Sequence, residues 1–356
     1  MMEVAITHTK KDDLCSELMD GFVMLDLARG WLKQGNTVVA LELLKSALES
    51  PDADLNQELR ARVLKETGRA RMMQSEWDSS EQYYLEAQRI YLDLENLKGA
   101  SECARNCANM YFQRGRYQES ANLCEKALKW ASAINDHELR ATILNTLAAI
   151  KSATGDLKEA IKTFKLCLAD FQSAGNHIRE GYVLLNIGLT QTELGEHAEA
   201  VRSLNQALAV ALDEKDQSLV EICYQNIAKC YLAQNDTILA KSVIDTARKI
   251  LPGLNSKALE TELNLIDCRI MHAMGNIENA EGLAFQTYQM ALENNMTALQ
   301  ADILKEHGLI YKDKGQFDLA IAKLDASANL YKQLGIDNGF KQAVEALEYL
   351  KRRAYA

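Results

Sequence analysis

Residues 103–124 read CARNCANMYFQRGRYQESANLC, with a small residue, Ala108, seven positions before Gly115 and another, Ser120, five positions after it. The same frame recurs at KQGNTVVA (33–40), MQSEWDSS (73–80), ATGDLKEA (153–160), ELGEHAEA (193–200), AQNDTILA (233–240), AMGNIENA (273–280) and DKGQFDLA (313–320). With QRGRYQES (113–120), the turn residue falls at Gly35, Ser75, Gly115, Gly155, Gly195, Asn235, Gly275 and Gly315, a step of 40 residues each time. A constant step implies that every unit sits on its neighbour in the same way, because an insertion inside a helix would rotate the faces that have to stack.

The columns around the turn support this reading. Seven before it stand Ala28, Gly68, Ala108, Ala148, Gly188, Ala228, Cys268 and Gly308, and five after it Ala40, Ser80, Ser120, Ala160, Ala200, Ala240, Ala280 and Ala320. Small side chains at two facing positions let paired helices approach closely. Twelve before the turn the column is Val23, Val63, Cys103, Ile143, Val183, Cys223, Leu263 and Ile303. Nine after it the column is Leu44, Tyr84, Cys124, Phe164, Leu204, Ile244, Ala284 and Leu324. Both are expected to fill the core. Each unit is then two helices, the first ended by a residue that accepts φ > 0. A second loop follows at Pro51, 93–97, 135–136, Gly175, 213–216, 252–255, 294–295 and 335–338.

Composition agrees with one ordered body. Hydrophobic residues make up 47% of the 356, only 2 prolines occur, and no Gly/Ser/Pro run marks a linker. No stretch reaches the roughly 18 apolar residues needed to cross a bilayer, and the first residues lack a secretory apolar core, so a cytoplasmic location is expected. The 8 cysteines are expected to be reduced and buried, several of them occupying packing columns. With 50 acidic against 40 basic residues the chain carries a formal charge of −10, which disfavours nucleic acid as a partner.

A small residue, a seven-residue step, Gly, a two-residue step to Trp77, Tyr117, Leu157 or Phe317, and then Ala or Ser, resembles the tetratricopeptide (TPR) signature. The 40-residue form is similar to LGN/Pins-like adaptors and bacterial TPR regulators. The resemblance implies an all-α, right-handed superhelical solenoid of about eight TPR-like hairpins over residues 13–336. A tail would precede it at 1–12, and a capping helix and tail would follow at 337–356. In the cap, Phe340, Val344, Leu347 and Leu350 form one stripe, with Lys341, Glu345, Glu348 and Arg352 outside it, and Lys351, Arg352 and Arg353 favour the helix end.

By the same resemblance the first helices line a concave groove, through residues 13, 10, 9, 6, 3 and 2 before the turn. Spacings of three and four place these on one helical face. In the first unit they include Phe22, Leu25 and Arg29. Further along, Asn106, Asn109, Asn145, Asn186 and Asn226 form a series of amides suited to gripping a peptide main chain, because each offers a donor and an acceptor. Arg62, Lys65, Arg69 and Arg105 concentrate cations in units two and three, and Lys229 adds one in unit six. An acidic or amphipathic segment is the expected ligand, its negative part near these residues. Two bland alternatives stand beside this: the amides bond neighbouring helix backbone, and the arginines pair with Glu66 and Glu102. Arg105 and Asn109 match the opening of the carboxylate clamp that binds chaperone tails, but Thr146, Tyr182 and Asn186 do not supply the rest.

No phosphate-cradling loop, metalloprotease His pair or nucleophile elbow is present, so no catalytic site and no cofactor are expected. Cys103 and Cys107 lie one helical turn apart, near Cys124, but no CxxC pair or nearby His completes a zinc set, and no metal is expected. The expected function is a non-enzymatic adaptor that holds a partner's peptide segment in the groove. The alternative is a peptide-responsive sensor whose solenoid pitch controls an effector protein. No membrane partner is expected, and a homodimer is left open.

Overall fold

The computed structural model describes residues 20–250 and 256–354. The expected tail at 1–12, Cys15, the loop at 252–255 and the side chain of Arg353 lie outside these residues. The described residues form helices joined by turns, and no strand is found among them. They group into two compact units, one ending at Asn176 and the other beginning at His177.

In the first unit, hairpin one pairs α1 (Gly21–Lys33) with α2 (Thr37–Glu49), and a short helix α3 (Pro51–Leu55) fills the loop expected at Pro51. Hairpin two is α4 (Gln57–Met73) and α5 (Trp77–Asp93), hairpin three α6 (Leu97–Gln113) and α7 (Tyr117–Ala133), and hairpin four α8 (His137–Ala153) and α9 (Leu157–Ala174). In the second unit the pairs are α10 (His177–Glu193) with α11 (His197–Asp213), and α12 (Gln217–Ala233) with α13 (Thr237–Ile250). They continue with α14 (Lys257–Ala273) and α15 (Ile277–Glu293), then α16 (Thr297–Asp313) and α17 (Phe317–Leu334). The cap α18 (Asp337–Ala354) closes it.

All eight turn residues have positive φ, including Ser75 at 60° and Asn235 at 60°. The turn after α6 shows why. Gly115 N–H donates to Phe112 O at 3.0 Å and Arg116 N–H to Tyr111 O at 2.8 Å, the paired bonds that satisfy the last carbonyls of a helix. The starts of α4, α6, α8 and α12 are fixed by Asn56, Asn96, Asp136 and Asp216. Each side chain accepts from the backbone N–H three residues on.

Both small columns are buried within their hairpins. Where serine replaces alanine, the hydroxyl crosses to the partner helix: Ser80 Oγ donates to Gly68 O at 2.7 Å and Ser120 Oγ to Ala108 O at 2.6 Å. At Gly188 a Cβ would lie 2.7 Å from Leu204 Cγ and 3.3 Å from Ala200 O, so glycine there records close helix approach. The two core columns are buried with one exception, Val23, which is exposed. Its counterpart Val63 packs into the core of hairpin one with Leu25, Ala28 and Leu44. The column therefore fills the space against the preceding hairpin, and none precedes Val23 among the described residues. In the cap, Leu347 and Leu350 are buried with Leu324, and Phe340 and Val344 pack beside Tyr331.

Seven cysteines are free and buried. Burial pushes the thiols of Cys107 and Cys124 up to about 12, and that of Cys103 higher still, which makes them packing groups rather than nucleophiles. Among the described residues no cluster of His, Cys, Asp or Glu is arranged to hold a metal ion, and no helix is long and apolar enough to cross a membrane.

Candidate functional site

Neighbouring first helices within each unit are tied by side-chain bonds spanning 37 residues rather than 40. Arg29 Nε donates to Glu66 Oε1 at 3.1 Å, Lys65 pairs with Glu102, and Thr146 Oγ1 donates to Asn109 Oδ1 at 3.0 Å. In the second unit Gln225 bonds Glu262, Arg269 Nε donates to Glu306 Oε2 at 3.3 Å, and Lys305 Nζ donates to Gln342 Oε1 at 2.8 Å. A position six or ten before one turn thus meets a position nine or thirteen before the next. The polar lining is a cross-linked surface.

A pocket of about 280 Å³ opens in the first unit where α1, α4, α5 and α6 come together. Its lining comprises Arg29, Glu58, Arg62, Lys65, Tyr91, Asn96, Lys98, Gly99 and Glu102. Four cations therefore face two carboxylates, in a chain that is acidic overall. Tyr91 forms an apolar wall, with Lys65 Nζ 5.9 Å from its ring centroid. Gly99 is required beside it, because a Cβ there would overlap the Tyr91 ring.

Each cation already has an acid, but the pairs differ in strength. Arg29 bonds the nearly buried Glu66, and Lys65 is itself largely covered. Arg62 Nη2 lies 2.7 Å from Glu58 Oε1, with both side chains more than two-fifths exposed. Lys98 Nζ lies 2.8 Å from Asp136 Oδ2, and that bond raises the ammonium's pKa although its side chain is 60% exposed. Exposed pairs of this kind contribute roughly 0–1 kcal/mol, so an incoming carboxylate exchanges with them at little cost. Arginine keeps further N–H donors for a second acceptor.

The sequence-derived residues divide accordingly. Arg62 and Lys65 line the pocket. Arg69 lies 3.7 Å from Glu66, and Arg105 Nη2 donates to Asn106 Oδ1 at 2.7 Å; neither arginine lines the pocket. Asn109 Oδ1 accepts from Thr146 Oγ1 on the next first helix, and Asn226 Nδ2 donates to Ile222 O of its own helix at 2.8 Å; neither bond is to the backbone of a neighbouring helix. Asn145 and Asn186 are half-buried and Lys229 is exposed. Leu25, expected in the lining, is buried in the core of hairpin one instead. Two pocket cations were missing from the expected site set: Arg29, which the spacing had placed on the lining face, and Lys98. Lys98 stands at the start of α6, and only the fold carries that end to Arg62.

The family model described as tetratricopeptide repeat matches residues 100–173 and 140–213. No curated protein matches the sequence. Among solved structures, aspartyl phosphate phosphatase F from Bacillus subtilis is 14% identical, with 90% of this chain and 86% of that chain covered and a TM-score of 0.60. The apo form of the quorum sensor NprR from B. thuringiensis is 14% identical, covering 92% and 97%, with a TM-score of 0.57. A Rap protein complexed with competence and sporulation factor is 15% identical, covering 95% and 98%, with a TM-score of 0.54. At these identities the likeness concerns the fold.

Proposed function

From the premise that this chain belongs to the tetratricopeptide-repeat superfamily, we propose that it is an interaction scaffold that takes an acidic segment of a partner protein into the pocket between hairpins two and three. The observation that carries the proposal is the concentration of Arg29, Arg62, Lys65 and Lys98 around one opening of about 280 Å³. That volume suits one or two acidic side chains or a terminal carboxylate. The rest of the segment extends along the first-helix faces, where Asn106 and Asn109, whose Oδ1 atoms accept from Arg105 and Thr146, offer Nδ2–H donors to its main chain. No chemical step is assigned to the chain.

A fluorescein-labelled octaglutamate peptide, titrated by anisotropy beside octaglutamine, tests this. Octaglutamate binding that weakens as salt rises, with none for octaglutamine, is expected. Equal binding of the two peptides contradicts it.

A second reading draws on proteins of like fold. One of the similar structures is described as a quorum sensor and another as a complex with a factor. As a sensor, this chain would change its pitch on binding. Small-angle scattering then shows compaction at saturating octaglutamate, whereas a rigid scaffold leaves the curve unchanged.

A further inference from the structure

The carboxylates that face the pocket answer only half of its cations. Glu58 pairs with Arg62 and Glu102 with Lys65, and all four line the opening. Arg29 and Lys98 line it too, but their acids stand outside the lining and are divided between partners. Glu66 lies 3.1 Å from Arg29 and 3.7 Å from Arg69, and the other acid of Arg29, Asp26 at 3.5 Å, is 78% exposed and screened by water. Asp136 accepts Lys98 Nζ on one oxygen and, as the cap of α8, the Leu139 N–H on the other. The lining therefore carries two positive charges in excess. Asn96, Lys98 and Gly99 bring the amino end of α6 into the same wall, which adds the positive pole of that helix.

The cations are also carried by three different helices. Arg29 comes from α1, Arg62 and Lys65 from α4, and Lys98 from α6. A carboxylate has one charge and two oxygens in a plane, so a single arginine fork satisfies it. A phosphoryl group on a side chain carries close to two charges and three strong acceptor oxygens that diverge from phosphorus. The second description matches the excess of two and the separate origins of the donors. We propose that the group taken into this pocket is a phosphorylated side chain of the partner segment, with its oxygens bonded to Arg29, Arg62 and Lys98. The inference rests on the acidic-segment reading and narrows it: phosphorylation of the partner controls its capture.

The source of the phosphoryl group follows from charge. A membrane surface or a nucleic acid presents many phosphates at once and is repelled by a chain of formal charge −10. One phosphorylated residue on a peptide enters the pocket without bringing the others near.

Three fluorescein-labelled peptides, titrated by anisotropy at about pH 7.5, test the inference: octaglutamate, octaglutamate with one central glutamate replaced by phosphoserine, and nonaglutamate, which has the net charge of the second. The phosphoserine peptide is expected to bind at least about tenfold more tightly than nonaglutamate. Arg62→Ala/Lys98→Ala leaves two cations facing two carboxylates, and the preference is expected to vanish there with helicity unchanged. Equal affinity for the phosphoserine peptide and nonaglutamate overturns the phosphoryl inference and leaves the acidic-segment reading standing; failure of all three to bind overturns both. A preference that persists in the variant places the phosphoryl group elsewhere and overturns the inference too. So does sedimentation with vesicles of phosphatidylcholine and phosphatidylinositol phosphate when no phosphoserine preference is seen.

Discussion

Arg29 and Glu66 are joined by a 3.1 Å bond between neighbouring first helices, and the relationship returns at Arg269 and Glu306, where the distance is 3.3 Å. Both pairs are 37 residues apart, and the second repeats the first six units later in the other compact unit. Within each compact unit, the offset from 40 sets a residue of one first helix beside the residue three positions earlier in the frame of the next. Polar residues facing the same side then bridge hairpins instead of stacking on their own equivalents.

A double-mutant cycle on Arg29 and Glu66 measures what the bridge contributes. Glu66 is nearly buried, so Arg29→Ala leaves a carboxylate whose remaining cation among the described residues is Arg69 at 3.7 Å. Arg29 is one-third exposed, which lowers the cost below that of a fully buried pair. The single substitutions are expected to destabilise the first unit, with a coupling of about 1–3 kcal/mol and a partial recovery in Arg29→Ala/Glu66→Ala. Chemical denaturation followed by circular dichroism gives the four values.

Ser75 makes the turn of hairpin two at φ 60°, although it is neither Gly nor Asn. Its N–H still donates to Met72 O at 2.9 Å, so the turn bonds are intact and the cost lies in the backbone conformation. Ser75→Gly is expected to raise stability by roughly 0.5–1 kcal/mol, and Gly115→Ser to lower it by a similar amount. Denaturation midpoints of the two variants check this.

Two histidines of hairpins seven and eight give the second unit opposite pH dependences. His272 bonds Glu306 at 2.7 Å and Asp313 at 3.1 Å, and the Glu306 bond in particular raises its pKa above 6.5. It therefore contributes stability below pH 6.5 that is lost as pH rises through the raised value. Burial opposes charge on Glu306, yet the bonds from His272 and Arg269 hold its pKa below 4.5, so its contribution is lost in acid. His307 is held down to about 4, chiefly by burial and further by Lys323, against a small opposing effect of Glu281; stability is lost as pH falls from 6.5 towards that value. Melting between pH 4 and 8 is expected to lose its alkaline-side decline in His272→Gln and part of its acid-side decline in His307→Leu.

Periodicity made the hairpins legible, because a fixed step and two small columns such as Ala108 and Ser120 constrain every unit alike. End effects broke the pattern. Val23 belongs to a core column and is exposed, since that column packs against a preceding hairpin. Leu25 satisfies the lining spacing but faces inward, because an aliphatic residue at the edge of that face gains more from the core than from water. The pocket was legible in part. Arg62 and Lys65 follow from a face on one helix, whereas Arg29 and Lys98 join them through a 37-residue offset and a helix start, and neither displacement can be read from a column of 40. In the amide series, Asn226 spends one N–H on Ile222 O of its own helix, a local bond that the 40-residue columns do not show.

The central claim is that an acidic segment is held by the cations between hairpins two and three. The most direct measurement is octaglutamate affinity, by anisotropy, for the unaltered chain and for Arg62→Ala/Lys98→Ala. That pair is the exposed part of the pocket, so its removal leaves the packing untouched. Binding at least about tenfold weaker in the variant, with identical helicity, is the predicted result. Equal affinity in the two proteins contradicts the account.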